Sequence, residues 1–123
     1  MERKGIAFAR LRSFKYAFKG LWTLLATQPN ARIHGVATLL VVALGGWLGI
    51  TRSEWLWVTL AIMAVWSAEA MNTAFEFLAD AVHPAAHPLI GKAKDVAAAA
   101  VLIAALGAAV IGALVFGPYL LSV

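Results

Sequence analysis

Glu69 is followed at distances of three, four, seven and eleven residues by Asn72, Thr73, Glu76 and Asp80. At about 100° per residue, these five side chains share one face of a helix, within a sector of roughly 100°. The residues around them are mostly apolar. A carboxylate charged at the centre of a bilayer costs about 2.5 kcal/mol or more, so three acids on such a helix need partners. Lys or Arg from neighbouring helices would make the face a structural ion-pair network. The other apolar stretches, Gly35–Thr51 and Val96–Val123, contain no charged residue. Water, a metal ion or a substrate therefore fits the face better, although Thr73 by itself is compatible with simple packing.

Depth separates the roles of these acids. Asp80 is expected at the membrane boundary, Glu76 about one turn deeper, and Glu69 ~10 Å beyond Glu76 along the axis. Lys92, Lys94 and Asp95 come at the start of the third apolar stretch, at the same boundary level. Carboxylates there can hold a divalent cation, and a lysine can meet phosphate. A deeper carboxylate, shielded from water, is suited to take a proton from an alcohol already in the membrane. Metal, cation and base in that spatial order are the parts that phosphoryl transfer uses. There is no Walker loop: Gly91-Lys92 is followed by Ala93 and lacks the glycine five residues earlier.

The elements that must position these groups follow from composition. The chain has 123 residues, 63% of them hydrophobic and only 13% charged, with a mean hydropathy of +0.84. Soluble domains carry about a quarter charged residues, and so small a globule could not hide this much apolar surface. One compact, all-helical integral membrane domain is expected over residues 1–123. The absence of cysteine removes disulfides, thiolate nucleophiles and Cys-based metal sites. Basic residues at Arg10, Arg12, Lys15 and Lys19 interrupt the place of a signal-peptide apolar core.

Seven of the ten Lys and Arg lie in the first 32 residues, against Glu2 alone, so this part carries +6 of a chain whose net charge is +4. The positive-inside rule makes it a cytoplasmic, membrane-apposed segment. A nucleic-acid patch would also be basic, but it rarely precedes a chain this apolar. Phe8, Leu11, Phe14, Phe18, Leu21, Trp22 and Leu25 recur at steps of three and four, opposite Arg12, Lys15 and Lys19. That pattern predicts an amphipathic helix over 1–28 lying in the interface. Pro29 ends it and pushes Gln28 out of helical geometry, and Asn30 is the expected cap of the next helix. Three spans are expected at about 30–50, 53–81 (with Ser53 as cap) and 92–121, with Pro84 and Pro88 in the last connection. The amino-terminal segment and the 80–95 loop then lie inside. Trp47, Trp55, Trp57 and Tyr119 form an aromatic belt outside. Small residues at Ala100, Ala104, Ala108 and Gly112, and at Gly45 and Gly49, let helices approach closely.

These residues also carry a resemblance. Glu69-Ala-Met-Asn72-Thr-Ala-Phe-Glu76-Phe-Leu-Ala-Asp80, then His87-Pro-Leu-Ile-Gly-Lys-Ala-Lys94-Asp95, resembles the signature of the prokaryotic diacylglycerol kinase family, which includes undecaprenol kinases. Ser13-Phe14-Lys15-Tyr16-Ala17-Phe18-Lys19-Gly20 and Asn30-Ala-Arg-Ile-His34 fit it as well, so the likeness covers nearly the whole chain in order. It implies a homotrimer of three-span subunits in the bacterial cytoplasmic membrane, with sites shared between neighbours at the cytoplasmic interface. It implies ATP with Mg²⁺ as phosphate donor and a lipid alcohol, undecaprenol or diacylglycerol, as acceptor. Glu69 matches the general base and Asn72 a residue that orients the site. Glu76 matches a metal-binding carboxylate, and Gln28 its usual partner position, where the family has Glu. Lys94 and Asp95 match residues at the nucleotide, with Tyr16, His87 and Glu76 lining it. Ser13, Lys19 and Trp47, together with Glu69, fall where lipid is held. The plainer readings are that His87 is a loop residue, Trp47 a belt anchor and Tyr16 a part of the interfacial helix. Two other classes compete with a kinase: a small membrane transporter with an intramembrane carboxylate, and a membrane scaffold using the small-residue stripes. Transporters of this size usually have four spans and an acid in the first. A scaffold has no need of Glu69, Glu76, Lys94 and Asp95 at matched depths.

Overall fold

The computed structural model describes residues 2–122, and these form four helices: α1 (Glu2–Thr27), α2 (Pro29–Leu48), α3 (Arg52–Val82) and α4 (Pro88–Leu121). The last three are long and apolar enough to cross a membrane. At about 1.5 Å per residue, α2 is about 30 Å long and spans the hydrocarbon with nothing to spare, whereas α3 and α4 approach 50 Å and overrun it. The protein is thus a multi-pass membrane protein with an amphipathic amino-terminal helix.

Pro29 makes the elbow between α1 and α2. Gln28 before it is extended (φ −111°, ψ 112°), as steric conflict with a following proline requires. Because Pro29 takes the first helical position of α2, the cap falls on Gln28, which makes no side-chain capping bond. Asn30 lies inside the helix and is not the cap the sequence led us to expect. The unpaired carbonyls that end α1 find another donor: the Arg32 guanidinium donates to Leu25 O at 2.9 Å and Ala26 O at 2.6 Å. Leu24 is buried at this elbow, while Phe8, Phe14, Phe18 and Trp22 face outward, uncovered by the chain. That is the lipid face of an interfacial helix.

The opposite end is tightly closed. Gly49 ends α2 in the left-handed region at φ 65°, a conformation favouring glycine. Thr51, not Ser53, caps α3. Its hydroxyl accepts from Glu54 N at 3.2 Å, while Glu54 Oε1 accepts from Thr51 N at 2.9 Å. This reciprocal box satisfies two terminal donors, which a lone serine two residues on would not. Tyr119 at the end of α4 donates to the same Glu54 oxygen at 2.5 Å. Ile50, Val58, Val115 and Phe116 form the buried core beneath, flanked by Leu44, Trp55 and Ile111. Gly45 has no room for a side chain, since a Cβ there would lie 2.7 Å from the Trp55 ring. The close-approach role expected of glycines in this span therefore belongs to Gly45, while Gly49 serves the turn.

α3 packs most extensively on α4 and less on α2, and α1 packs lightly on α2 and α3. Ala104, Ala108 and Gly112 are partly covered and Ala100 is exposed. The α3–α4 connection runs through His83 and His87, whose rings meet edge to face at 5.1 Å. α4 opens at Pro88, ahead of position 92, with His87 Nδ1 accepting from Leu89 N at 3.1 Å. Large apolar side chains on α2 and α4, including Leu39, Leu40, Leu106, Val110 and Leu114, remain exposed to surroundings that must be lipid or other protein.

Candidate active site

The polar face of α3 is turned toward the other helices. Glu69 is only 2% exposed and Thr73 4%, while Asn72 and Glu76 are half-buried and Asp80 is exposed. Helical spacing stacks the five on one side. Thr73 faces α1 beside Gly20 and Leu24, whereas the first turns of α2 and the middle of α4 cover Glu69 and Asn72. Asn30, His34, Glu69, Asn72, Ala98 and Val101 are among the residues lining a pocket of about 300 Å³ there. An apolar groove of about 320 Å³ also begins at His34 and runs toward the closed end between α2, α3 and α4, past Val41, Val58 and Ile111.

The electrostatics of this helix face are unusual for a protein interior. Glu69 Oε2, Asn72 Oδ1 and Thr73 Oγ1 are buried and have no hydrogen-bond partner. Each such atom costs roughly 1–3 kcal/mol, and native structures seldom keep them without cause. Among the described residues no Lys or Arg pairs with Glu69, so the structural ion-pair reading of this face fails for its deepest acid. Its nearest charge-capable neighbour is His34, with Nε2 3.5 Å from Oε2. That separation is within ion-pair range and longer than a good hydrogen bond.

The outer acids behave differently. Asp80 accepts a bond from Lys94 Nζ at 2.5 Å, both side chains being well exposed. Glu76 lies seven residues beyond Glu69, about 10 Å along the axis. Gln28 sits across at the elbow, its Nε2 donating to Thr27 Oγ1 at 3.2 Å. Among the described residues no three His, Asp or Glu side chains gather as a metal-binding group. Glu76 and Gln28 would supply one carboxylate and one amide oxygen. That set cannot cage a cation, but it fits Mg²⁺ that arrives already coordinated by phosphates and water.

The remaining expected residues are not gathered within one chain. Tyr16 is 62% exposed on α1. Ser13 Oγ donates to Ala9 O within its own helix, and Lys19 is exposed. His87 is occupied as the cap of α4 and Asp95 is exposed. Trp47, 76% exposed, stands thirteen residues from His34, about 20 Å toward the closed end. Sequence reasoning passed over two features. One is His34 as the neighbour of Glu69. The other is the tie of α2 to α3, in which Trp66 Nε1 donates to Thr38 Oγ1 at 2.9 Å. The signal was present: Asn30, His34 and Thr38 recur at steps of four, the same kind of polar stripe that marks α3.

Three spanning helices with a buried carboxylate lining a pocket between them are compatible with a membrane enzyme. Comparison with known proteins agrees. Residues 15–116 match the family model for prokaryotic diacylglycerol kinase. The chain is 36% identical over 109 residues to undecaprenol kinase of Bacillus subtilis, covering 89% of each. It is 33% identical over 105 residues to diacylglycerol kinase of Escherichia coli K12, covering 85% of this chain and 86% of that one. A diacylglycerol kinase of Synechocystis is 37% identical over 113 residues, 91% of this chain and 65% of that protein. The chain belongs to the prokaryotic diacylglycerol kinase family and is a membrane lipid kinase. The transporter and scaffold readings give way to this assignment.

Proposed function

We propose that the protein transfers the γ-phosphoryl group of MgATP to the primary hydroxyl of a membrane lipid, undecaprenol ahead of diacylglycerol, at the cytoplasmic face of a bacterial inner membrane. As the lipid oxygen bonds to the γ-phosphorus, Glu69 takes the hydroxyl proton. The bond from that phosphorus to the β–γ bridging oxygen breaks, and ADP leaves. The observation that carries this reading is the Glu69 carboxylate: buried, paired with no Lys or Arg among the described residues, and lining a pocket between helices. A lipid alcohol entering sideways would donate its hydroxyl proton to this carboxylate. Asn72 offers a second unpartnered acceptor beside it and orients the same hydroxyl or a water.

The nucleotide belongs on the outer side of Glu76. With Gln28, Glu76 would hold the Mg²⁺ of MgATP, which neutralises charge developing on the transferring phosphoryl group. Lys94, held extended by Asp80, and Asp95 would meet the nucleotide, with Tyr16 and His87 beside it. Ser13, Lys19 and Trp47 would line the lipid. A homotrimer accounts for the scatter of these residues over exposed surfaces of one chain, because neighbouring copies would bring them together and cover the bare faces of α2 and α4. Undecaprenol comes first because His87-Pro88 followed by Ala93-Lys94-Asp95-Val96-Ala97-Ala98 resembles undecaprenol kinases more closely. Both lipids end in a primary alcohol, and apolar walls separate chain shapes only weakly.

The test is ATP-dependent phosphate transfer in mixed micelles, with undecaprenol and diacylglycerol run side by side for wild type and Glu69→Gln. Transfer to the polyprenol that Glu69→Gln loses is the expected result. No transfer to either lipid, or undiminished transfer by Glu69→Gln, overturns the reading.

A further inference from the structure

His34 is the one side chain of α2 within ion-pair reach of Glu69, and its placement is itself built. Thr38 Oγ1 donates to the His34 carbonyl at 2.7 Å, one turn along α2. Thr38 in turn accepts from the Trp66 indole at 2.9 Å. Trp66 stands three residues before Glu69 on α3, where residues three apart are surface neighbours. These polar contacts tie α2 to α3 about one turn from the two residues whose ring and carboxylate face one another. The imidazole lines both the polar pocket and the mouth of the apolar groove, so it sits where a lipid chain entering along the groove would turn toward the carboxylate.

We propose that His34 is a positioning residue for Glu69: Nε2–H donates to Oε2 and fixes the carboxylate through one oxygen, leaving the other for the lipid hydroxyl. At 3.5 Å the contact is slack, and catalytic hydrogen bonds commonly tighten only when substrate fills the site. Among the described residues no other charged group lines the pocket beside the ring. On α3 the pocket presents Glu69 and neutral Asn72. On α4 it presents Ala98, Val101, Leu102 and Ala105. On α2 it presents Asn30 and Ile33, while Arg32 is turned to the carbonyls of α1. A core histidine with only a packing role would not need its ring nitrogen beside the one buried carboxylate of the bundle.

The inference rests on Glu69 being the base, and a two-by-two set of variants separates the two claims. Purified, detergent-solubilised wild type, His34→Ala, His34→Gln, Glu69→Asp and the His34→Ala/Glu69→Asp pair are assayed for kcat, lipid KM and the pH profile of kcat, with Glu69→Gln as control. His34→Ala is expected to lower kcat on the order of ten- to a hundred-fold, the scale of an ångström of misplacement. Lipid KM stays nearly unchanged and the acid limb of the profile moves. His34→Gln, which keeps an N–H donor, recovers most of the rate. In the Glu69→Asp background the shortened carboxylate cannot reach the ring, so His34→Ala costs nothing further. The same fold-loss in both backgrounds, or a wild-type kcat and pH profile in His34→Ala, overturns the role of His34 while leaving Glu69 as base. An active Glu69→Gln overturns both. Should His34→Ala fail to assemble, His34→Leu, which fills the space without an N–H donor, replaces it in both backgrounds: a loss seen only beside Glu69 bears the proposal out, and equal losses, or none, overturn it.

Discussion

The two ends of the bundle are built on opposite principles. At the closed end, the cap of α3, the hydroxyl of Tyr119 and the Glu54 carboxylate satisfy one another, and Ile50, Val58, Val115 and Phe116 pack beneath them. At the site end, the polar atoms of Glu69, Asn72 and Thr73 are buried and bare, and most of the surrounding chemistry lies spread over exposed surface. Under the proposed assignment, stability and reactivity are divided along the same three helices. A fully satisfied site would be more stable and would have nothing left to offer a substrate. The closed end carries the cost of the open one by holding α2, α3 and α4 in register.

That division can be broken from either side. The largest effect is expected from Glu69→Gln: a fall in phosphate transfer on the order of 10²- to 10⁴-fold, the usual worth of a general base. Its thermal midpoint in detergent should be equal to or above that of wild type, because a buried bare carboxylate is replaced by a neutral amide. A matching fall in stability would mean that Glu69 is structural. Ile50→Ala, in the closed-end core and outside the groove, should do the converse, costing about 3 kcal/mol of stability while leaving kcat of the folded fraction near wild type. Loss of kcat at full stability would show that the two ends are not separate. Gly45→Ala should cost about 1–3 kcal/mol by overpacking, since its Cβ would meet the Trp55 ring at 2.7 Å. A neutral result would show that Trp55 can move aside. The smallest effect is expected from Gln28→Glu, which adds the second carboxylate found in the family pattern and should lower the Mg²⁺ concentration for half-maximal activity severalfold. An unchanged half-saturation would show that phosphates and water already provide the shell.

The same contrast explains what could be read from residues alone. Helices, elbow and polar face were legible because each is local: a step of three or four residues, a proline, a run without charge. Extended Gln28 before Pro29 is a steric rule and was foreseen. Caps were harder, because Asn30, Ser53 and Thr51 are all competent chemically, and the choice falls to which backbone is extended and which partner stands three residues on. Thr51 won because Glu54 answers it. Glu69 could be singled out by the cost of burying it, whereas His34 became meaningful only through a neighbour thirty-five positions away. Tyr16, His87, Lys94 and Asp95 are named by resemblance and left apart by one chain, since no local force in a single subunit draws charged, solvated groups across open surface to one another.

The length of α3 has a further consequence. Seventeen residues separate Arg52 from Glu69, placing the carboxylate about 25 Å from the start of the helix, and Glu76 and Asp80 follow at about 36 and 42 Å. Against a hydrocarbon layer of about 30 Å, one rigid rod crosses from oil to water between its deepest acid and its next. Under the proposed assignment it works as a phase-transfer catalyst in solid form. The oil-soluble reactant need not emerge, the water-soluble one need not enter, and two turns of helix set the spacing between the proposed proton acceptor and the proposed metal ligand.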